Sequence, residues 1–254
     1  MLGVIRKLKC PKTGKRLKLD STEKFLEVED SDIRYPLYGP IINFIPEIKE
    51  QDFFVSETDK KSLDSLEKVM ADEKKTLGDK LSMPEEFRAL VLDIPSGGDL
   101  FVGEDYARYR EANILVADSN PAILARARQR YESLGINNAF FICCNLDNLP
   151  LLEGAIGMAV SILGFNRVKE KKQLITEIKR VLRVSGTFNG AFYIQSSPSQ
   201  QYLRDMGLSS DIFSSMDEVK GLMSDKFDFM DQELLGDKFV FECRKSWPSC
   251  GVKW

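Results

Sequence analysis

The sequence predicts an α/β protein built on an open sheet of buried parallel strands, and three features of the chain predict it. Residues 89–94, ALVLDI, form an apolar run that carries an acid and is broken at once by the turn sequence PSGG. Residues 112–118, ANILVAD, repeat this plan about twenty residues later. A hairpin predicted over 227–244 ends the alternation of strands and helices. Because ligands bind at the carboxyl ends of strands in such sheets, the first two strand ends predict a binding site.

The composition is that of an ordinary soluble globular protein, with 43% hydrophobic and 30% charged residues. A length of 254 residues allows one sizeable core with a small appendage. The net charge of −3 gives no general case for binding nucleic acid or anionic membranes. No apolar run approaches the length of a membrane span, and the N-terminus lacks the apolar core of a signal peptide. We therefore expect a cytoplasmic protein.

The cysteine pattern and the absence of histidine exclude several kinds of catalytic and structural site. None of the five cysteines forms a C-x-x-C pair, so neither a disulfide framework nor a zinc knuckle is expected. Cys143 and Cys144 are adjacent in a predicted strand and should point to opposite faces, as buried small hydrophobes rather than redox groups. The absence of histidine excludes Ser-His-Asp and Cys-His catalysis and removes the usual general base.

The remaining elements follow from periodicity and capping signals. Pro121 opens a helix that ends at Gly135, and Ser215 begins a capping box for a helix that reaches about Lys226. The other predicted helices cover 100–111 and 171–183, and the other predicted strands cover 138–144, 156–162 and 186–194.

Two of these segments carry a family resemblance. VLDIPSGGD followed by ILVADSNPAILARAR resembles the first two motifs of class I S-adenosylmethionine (SAM)-dependent methyltransferases, with Pro95 and Asp99 in place of the outer two glycines of the first motif. NLDNLP at 145–150 and RVLRVSG at 180–186 are similar to later motifs of the family. The resemblance covers about 87–245 and implies a Rossmann-like, seven-stranded methyltransferase sheet with strand order 3-2-1-4-5-7-6 and an antiparallel last strand.

The same resemblance implies SAM as the cofactor and names residues to hold it. Asp118 would accept hydrogen bonds from both ribose hydroxyls. The Asn145 side chain and the Leu146 amide would contact adenine, while Asp93 and the backbone at 96–97 would face the methionine end. The full set of implied cofactor-binding residues is Asp93, Pro95, Ser96, Gly97, Asp118, Ser119, Asn145, Leu146 and Leu163.

The residues of the turn PSGGD at 95–99 favour SAM over a dinucleotide as the bound cofactor. SAM carries a sulfonium, an ammonium and a ribose diol but no phosphate, whereas a dinucleotide site presents neutral glycines to a pyrophosphate. Asp99 would repel a phosphate at that position. An NAD(P)-dependent enzyme is therefore disfavoured.

No catalytic residue is assigned from the sequence. Methyl transfer depends mainly on holding the acceptor in line, so a base is optional. The candidates near the mouth are Asp147, Asn166, Arg167 and Tyr193. Phe165 and Tyr193 could contact the sulfonium through cation–π interactions, but core packing is the favoured interpretation.

Residues 1–48 resemble a small zinc-ribbon-like domain that activates tRNA and protein methyltransferases and is fused ahead of some bacterial ones. YPLYGPIINFIP at 35–46 carries the resemblance. The metal-binding version has four cysteines, and here Cys10 remains while Thr13 takes the second position and the later pair falls near Val28 and Ser31. We expect a metal-free, mostly-β domain held by its apolar core. Its basic residues over 6–18 are interpreted as a solvated face rather than an RNA-binding patch.

The predicted organisation has three parts: 1–48, a helical linker or cap over 49–86, and a methyltransferase domain over 87–254. Two functions stay open. The first is a methyltransferase acting on a small molecule, a lipid precursor or an RNA base, with a small molecule favoured over RNA. The second is a degenerate, non-catalytic member of the fold that acts as a binding or regulatory partner. Neither the acceptor nor the oligomeric state can be read from the sequence.

Overall fold

A computed structural model of the protein describes residues 2–54, 88–95, 111–194 and 213–246. These residues form one eleven-stranded sheet with helices packed against it and the loops that connect them. Residues 55–86 of the predicted helical linker or cap and residues 100–110 of the helix predicted over 100–111 lie outside the described residues, as do residues 195–212. The α/β class predicted from the sequence is confirmed.

The strands are β1 Leu17–Leu19, β2 Phe25–Val28, β3 Arg34–Tyr38, β4 Ile41–Asn43, β5 Leu90–Asp93, β6 Asn113–Asp118, β7 Ala139–Cys143, β8 Ile156–Ile162, β9 Leu182–Tyr193, β10 Phe227–Leu235 and β11 Lys238–Lys245. The helices are α1 Leu2–Ile5, α2 Pro121–Ser133, α3 Lys171–Val181 and α4 Met216–Met223. Short 3₁₀ helices cover Glu50–Phe53 and Gly164–Arg167.

The sheet has the order β1-β2-β3-β4-β7-β6-β5-β8-β9-β11-β10. Counted from β5 as the first strand, the seven strands from β7 to β10 have the order 3-2-1-4-5-7-6. The five strands from β7 to β9 are parallel to one another, and β11 is antiparallel to β9. The chain moves to one side of β5 for β6 and β7 and to the other side for β8 and β9, so the direction of winding reverses at β5.

The central strands are buried on both faces, as parallel strands covered by helices are. Every residue of β5 and of β8 is buried. Cys143 packs in the apolar cluster on one face of the sheet and Cys144 packs in the cluster on the other. The predicted alternation of these two cysteines is thus confirmed.

Local sequence explains where the helices begin and end. The Asn120 side chain accepts hydrogen bonds from the amides of Ala122 and Ile123, with Pro121 in the first helical position of α2. The chain leaves this helix through Gly135, whose φ is +69°. Helix α3 buries its apolar face, made of Leu174, Ile175, Ile178 and Val181.

One predicted boundary is wrong. The segment 182–185, expected to lead from a helix into a turn, is the start of β9, which follows α3 directly. Ser185 has a φ of +61°, and the pairing between β8 and β9 is irregular between Ile156 and Met158. A bulge therefore takes up the residues that the sequence motif suggested as a turn.

The N-terminal strands continue the main sheet. Strand β4 pairs in parallel with β7, aligning Ile41–Asn43 with Phe141–Cys143, and the Phe44 amide donates to the Cys143 carbonyl at 2.8 Å. Without β4, the β7 edge would present open backbone groups. The sequence did not predict this pairing, and the domain boundary at residue 48 stays a prediction.

Most apolar residues of the N-terminal strands pack in the same hydrophobic cluster as one face of the main sheet, so the small separate core expected from the sequence is not observed. Hydrogen bonds also hold this region together. The Cys10 Sγ lies 3.2 Å from the Tyr35 hydroxyl and accepts from the Thr13 amide at 3.4 Å. Burial alone would raise the pKa of Cys10, but these hydrogen bonds outweigh it and lower the pKa. Among the described residues, no group of three His, Cys, Asp or Glu is placed to hold a metal, and no helix is long and apolar enough to cross a membrane.

Candidate functional site

A cleft of about 520 Å³ opens where β5, β6 and β7 end at the same edge of the sheet. Pro95 follows β5, Asp118 is the last residue of β6, and Asn145 follows β7. The register places Asp118 beside Cys143, so the ends of β6 and β7 lie next to each other. The cleft is lined by Pro95, Asp118, Ser119, Asn120, Asn145, Leu146, Asp147, Val168, Lys169 and Glu170.

Asp118 is held in place by the start of α2. The residue is 2% exposed, and its Oδ1 accepts a hydrogen bond from the Asn120 amide at 2.9 Å. Its carbonyl accepts from the Cys144 amide at 3.1 Å. Because the neighbouring residue Asn120 also caps α2, the position of the carboxylate depends on both the strand and the helix.

A neutral thiol lies behind this carboxylate. Burial and the charge of Asp118 raise the pKa of Cys143 to about 12. The thiol lies 3.8 Å from the Ser119 carbonyl, to which it donates. Cys143 therefore contributes packing beneath the cleft rather than a nucleophile.

The third wall of the cleft is the turn after β7. Asn145 and Asp147 are exposed, and Leu146 is half-buried. The Asn148 amide donates to the Asn145 carbonyl at 3.3 Å, which closes the turn. The turn thus presents an amide side chain and a carboxylate near the end of β6.

The wall after β5 depends on a glycine in the next crossover. A Cβ added at Gly164 would collide with the Pro95 carbonyl, so only glycine permits this close approach. The preceding residue, Leu163, has a φ of +55°, and its amide donates to the Ala191 carbonyl at 2.7 Å. The segment after β8, residues 163–164, therefore packs against the end of β5 on one side and bonds to β9 on the other.

The structure brings five of the nine predicted cofactor-binding residues into the cleft lining, namely Pro95, Asp118, Ser119, Asn145 and Leu146. Asp93 and Leu163 are buried and lie outside the lining. Ser96 and Gly97 lie outside the described residues.

Sequence analysis missed Asn120, Val168, Lys169 and Glu170 as lining residues. Asn120 could have been found, because Asn-Pro is a helix start directly after the strand end. The residues 168–170 precede α3 without any motif. The cleft carries three acids, Asp118, Asp147 and Glu170, against one cation, Lys169. This balance suits a ligand with hydroxyl and cationic groups better than one with phosphates.

The other catalytic candidates near the mouth are part of the packing, apart from Arg167, whose side chain is not described. Asn166 is 0% exposed, and its Nδ2 donates to the Tyr193 carbonyl while its Oδ1 accepts from the Tyr193 amide, both at 3.0 Å. The Phe165 ring stacks on Phe192 with centroids 4.7 Å apart. Asn166 is thus committed to the backbone, and Phe165 packs in the core, as favoured from the sequence.

Part of the chain is similar to known methyltransferases. Residues 91–186 match the family model described as a methyltransferase domain. A malonyl-[acyl-carrier protein] O-methyltransferase from Laribacter hongkongensis is 33% identical over 104 residues, which are 39% of this chain and 35% of the relative. The chain thus spans only about 35 to 39% of the length of the curated relatives that it matches first.

Solved structures share the fold at low sequence identity. A chain from the complex containing the Haloferax volcanii Trm112 methyltransferase activator aligns with a TM-score of 0.61 and 16% identity, covering 76% of this chain and all of that one (100%). Geranyl diphosphate C-methyltransferase from Streptomyces coelicolor, solved with S-adenosyl-L-homocysteine, aligns with a TM-score of 0.55 and 14% identity, covering 69% and 77%. At these identities the two structures show that the fold is shared.

Proposed function

We propose that this chain transfers a methyl group from SAM to an acceptor that is a small molecule, a lipid precursor or an RNA base, with a small molecule favoured. The observation that carries the proposal is the position of Asp118 and Asn145 on neighbouring strand ends of one cleft. The acids of the cleft and the match over residues 91–186 add support.

The residues present fit the adenosine part of SAM. A carboxylate such as Asp118 can accept hydrogen bonds from two hydroxyls at once, as a ribose diol requires. Asn145 carries both an acceptor and a donor for the edge of a base, and Leu146 adds apolar surface. The resemblance assigns Asp93 and the backbone at 96–97 to the methionine end, and it includes Pro95, Ser119 and Leu163 among the cofactor-binding residues.

In this mechanism the bound cofactor supplies a methyl group attached to a positively charged sulfur. The role of the protein is to orient it, since proximity and alignment provide most of the acceleration in such a displacement. Asp118 would bind the ribose of the adenosine, and Asn145 and Leu146 would contact its base. No base is assigned, because Asn166 is bound to the backbone and the remaining candidate in the cleft, Asp147, is exposed.

Titration calorimetry with SAM and with S-adenosylhomocysteine tests the proposal. The wild-type protein should bind both, and Asp118→Ala should weaken binding at least about tenfold, because two hydrogen bonds to a charged group are lost. Asp231→Ala is the matched control, since Asp231 is an exposed acid on β10 at the far edge of the sheet. Equal affinity of wild type and Asp118→Ala would contradict the ribose assignment.

The second candidate function is a non-catalytic binding or regulatory partner built on the same fold. Pro95 and Asp99, which replace glycines of the family turn, favour it. The same calorimetry separates the two, because an absence of heat at millimolar SAM and S-adenosylhomocysteine would leave only the second function.

We also propose that residues 1–48 form a small zinc-ribbon-like domain that binds no metal. The contact between Cys10 and Tyr35 supports this, because it engages the one cysteine that remains of the four-cysteine pattern. Metal analysis of the purified protein tests it, and one zinc per chain would contradict it. A cytoplasmic location stays a prediction.

A further inference from the structure

A partly buried ion pair on α3, formed by Glu177 and Arg180, binds the backbone of the segment that follows the turn at 145–147. The Arg180 guanidinium donates to the Leu151 carbonyl at 2.7 Å and to the Leu149 carbonyl at 3.0 Å. Glu177 Oε2 accepts from the Leu149 amide at 2.8 Å. The two side chains also bind each other through two hydrogen bonds, each 2.7 Å long. One ion pair thus fixes three backbone groups of this segment.

The same segment is held from its other side by the N-terminal residues. The Lys9 amide donates to the Pro150 carbonyl at 3.1 Å, and the Leu152 amide donates to the Lys7 carbonyl at 2.9 Å. The Asn148 Nδ2 donates to the Pro11 carbonyl at 3.0 Å. Residues 148–152 are therefore clamped between α3 and the start of the chain.

The ion pair between Glu177 and Arg180 is partly shielded from solvent. The side chain of Arg180 is 24% exposed and that of Glu177 is 13% exposed. Burial would raise the pKa of Glu177, but the hydrogen bonds from Arg180 and from the Leu149 amide outweigh it and lower the pKa. A partly buried, bidentate arginine–carboxylate pair of this kind has a fixed geometry.

We propose that Glu177 and Arg180 are positioning residues for the cofactor site: they hold the adenine-side loop, residues 145–151, at the height where Asn145 and Leu146 meet the base. The inference rests on the proposed function. Asn145 lies only four residues before Leu149, and its carbonyl accepts a hydrogen bond from the Asn148 amide. The hydrogen bond from the Leu149 amide to Glu177 therefore also determines where the turn at 145–147 lies.

The test compares Arg180→Ala, Arg180→Lys and Glu177→Gln with the wild type. Arg128→Ala is the matched control, because Arg128 forms a helix ion pair with Glu132 at 2.8 Å that does not touch the loop. Binding of S-adenosylhomocysteine and of 5′-methylthioadenosine, which lacks the amino acid end, is measured by calorimetry well below the melting temperature of each variant.

Arg180→Ala should weaken binding of both ligands by the same factor, about tenfold, since the adenosine part is common to them. Arg180→Lys should restore part of the affinity, because it keeps the charge but not the fork of donors. Arg128→Ala should change neither affinity. If Arg180→Ala does not fold, Arg180→Lys and Glu177→Gln carry the comparison, each with a smaller loss.

Two results would overturn the inference while leaving the proposed function intact. The first is a lower melting temperature with unchanged affinities, which is what a purely structural pair would give. The second is a larger loss for S-adenosylhomocysteine than for 5′-methylthioadenosine, which would place the effect at the amino acid end. If the wild type binds neither ligand, the proposed function fails and the positioning role fails with it.

Discussion

Asn145 and Asn166 each follow the carboxyl end of a parallel strand, and the structure uses them in opposite ways. Asn145, after β7, is exposed in the cleft lining. Asn166, after β8, is fully buried and pairs with both the amide and the carbonyl of Tyr193. A polar residue after a strand end can therefore stay open to a cleft or pair with the backbone of another strand, and burial distinguishes the two.

The largest expected effect on stability comes from Asn166→Ala. The change removes both hydrogen bonds that the Asn166 side chain makes to the buried backbone of Tyr193, which should cost about 3 kcal/mol of unfolding free energy. Urea denaturation measures it. Asn145→Ala is the matched substitution at the other strand end, and equal losses in the two variants would contradict the comparison.

Gly164→Ala should have the next largest effect, because the added methyl group collides with the Pro95 carbonyl. We expect a loss of about 2 kcal/mol together with weaker binding of S-adenosylhomocysteine, since Pro95 lines the cleft. Gly221→Ala in α4 is the control: its Cβ would meet nothing within 4 Å, and the change should stabilise by about 0.5–1 kcal/mol. If Gly164→Ala binds S-adenosylhomocysteine as tightly as the wild type, the position of Pro95 does not affect binding.

Glu177 should give a smaller and pH-dependent effect. Its pKa is lowered in the folded state, so its contribution is complete above the usual glutamate pKa and is lost as the pH falls through the lowered value. Glu177→Gln should therefore cost about 1 kcal/mol at pH 7, and the difference from wild type should shrink below about pH 4. Urea denaturation from pH 7 to pH 3 measures it, with the exposed Glu132→Gln as control. A difference independent of pH would contradict the charge-based account.

The smallest effect on stability should come from Asn145→Ala, within about 0.5 kcal/mol of wild type, because the side chain is exposed. The same change should weaken S-adenosylhomocysteine roughly fivefold through the loss of one hydrogen bond to the base. Calorimetry and urea denaturation on the same sample separate the two quantities. Unchanged binding of S-adenosylhomocysteine would contradict the proposed contact between Asn145 and adenine.

Sequence reasoning succeeded where the signal is local. The acid at the end of an apolar run predicted that Asp118 ends a strand, and Asn-Pro followed by an apolar stripe predicted α2. Both signals depend only on neighbouring residues. Strand β5 was predicted in the same way, whereas the turn predicted to follow it continues into residues 96–98, which lie outside the described ranges.

Sequence reasoning failed where the structure depends on residues far apart in the chain. Glu177 and Arg180 look like an ordinary exposed helix pair, and only the fold brings the 149–151 backbone to them. Asn166 was a candidate base because nothing in the sequence shows that it meets the backbone of Tyr193. The join between β4 and β7 was missed for the same reason.

That join has a consequence for how the protein is made. Residues 41–43 leave the ribosome about 100 residues before the strand that they accompany, which at cellular synthesis rates is a delay of about 5–20 seconds. During this interval the short β4 has no parallel partner, and its backbone groups are open to chaperones or to other chains. Strands β4 and β7 can therefore pair only after the whole segment between them has been synthesised.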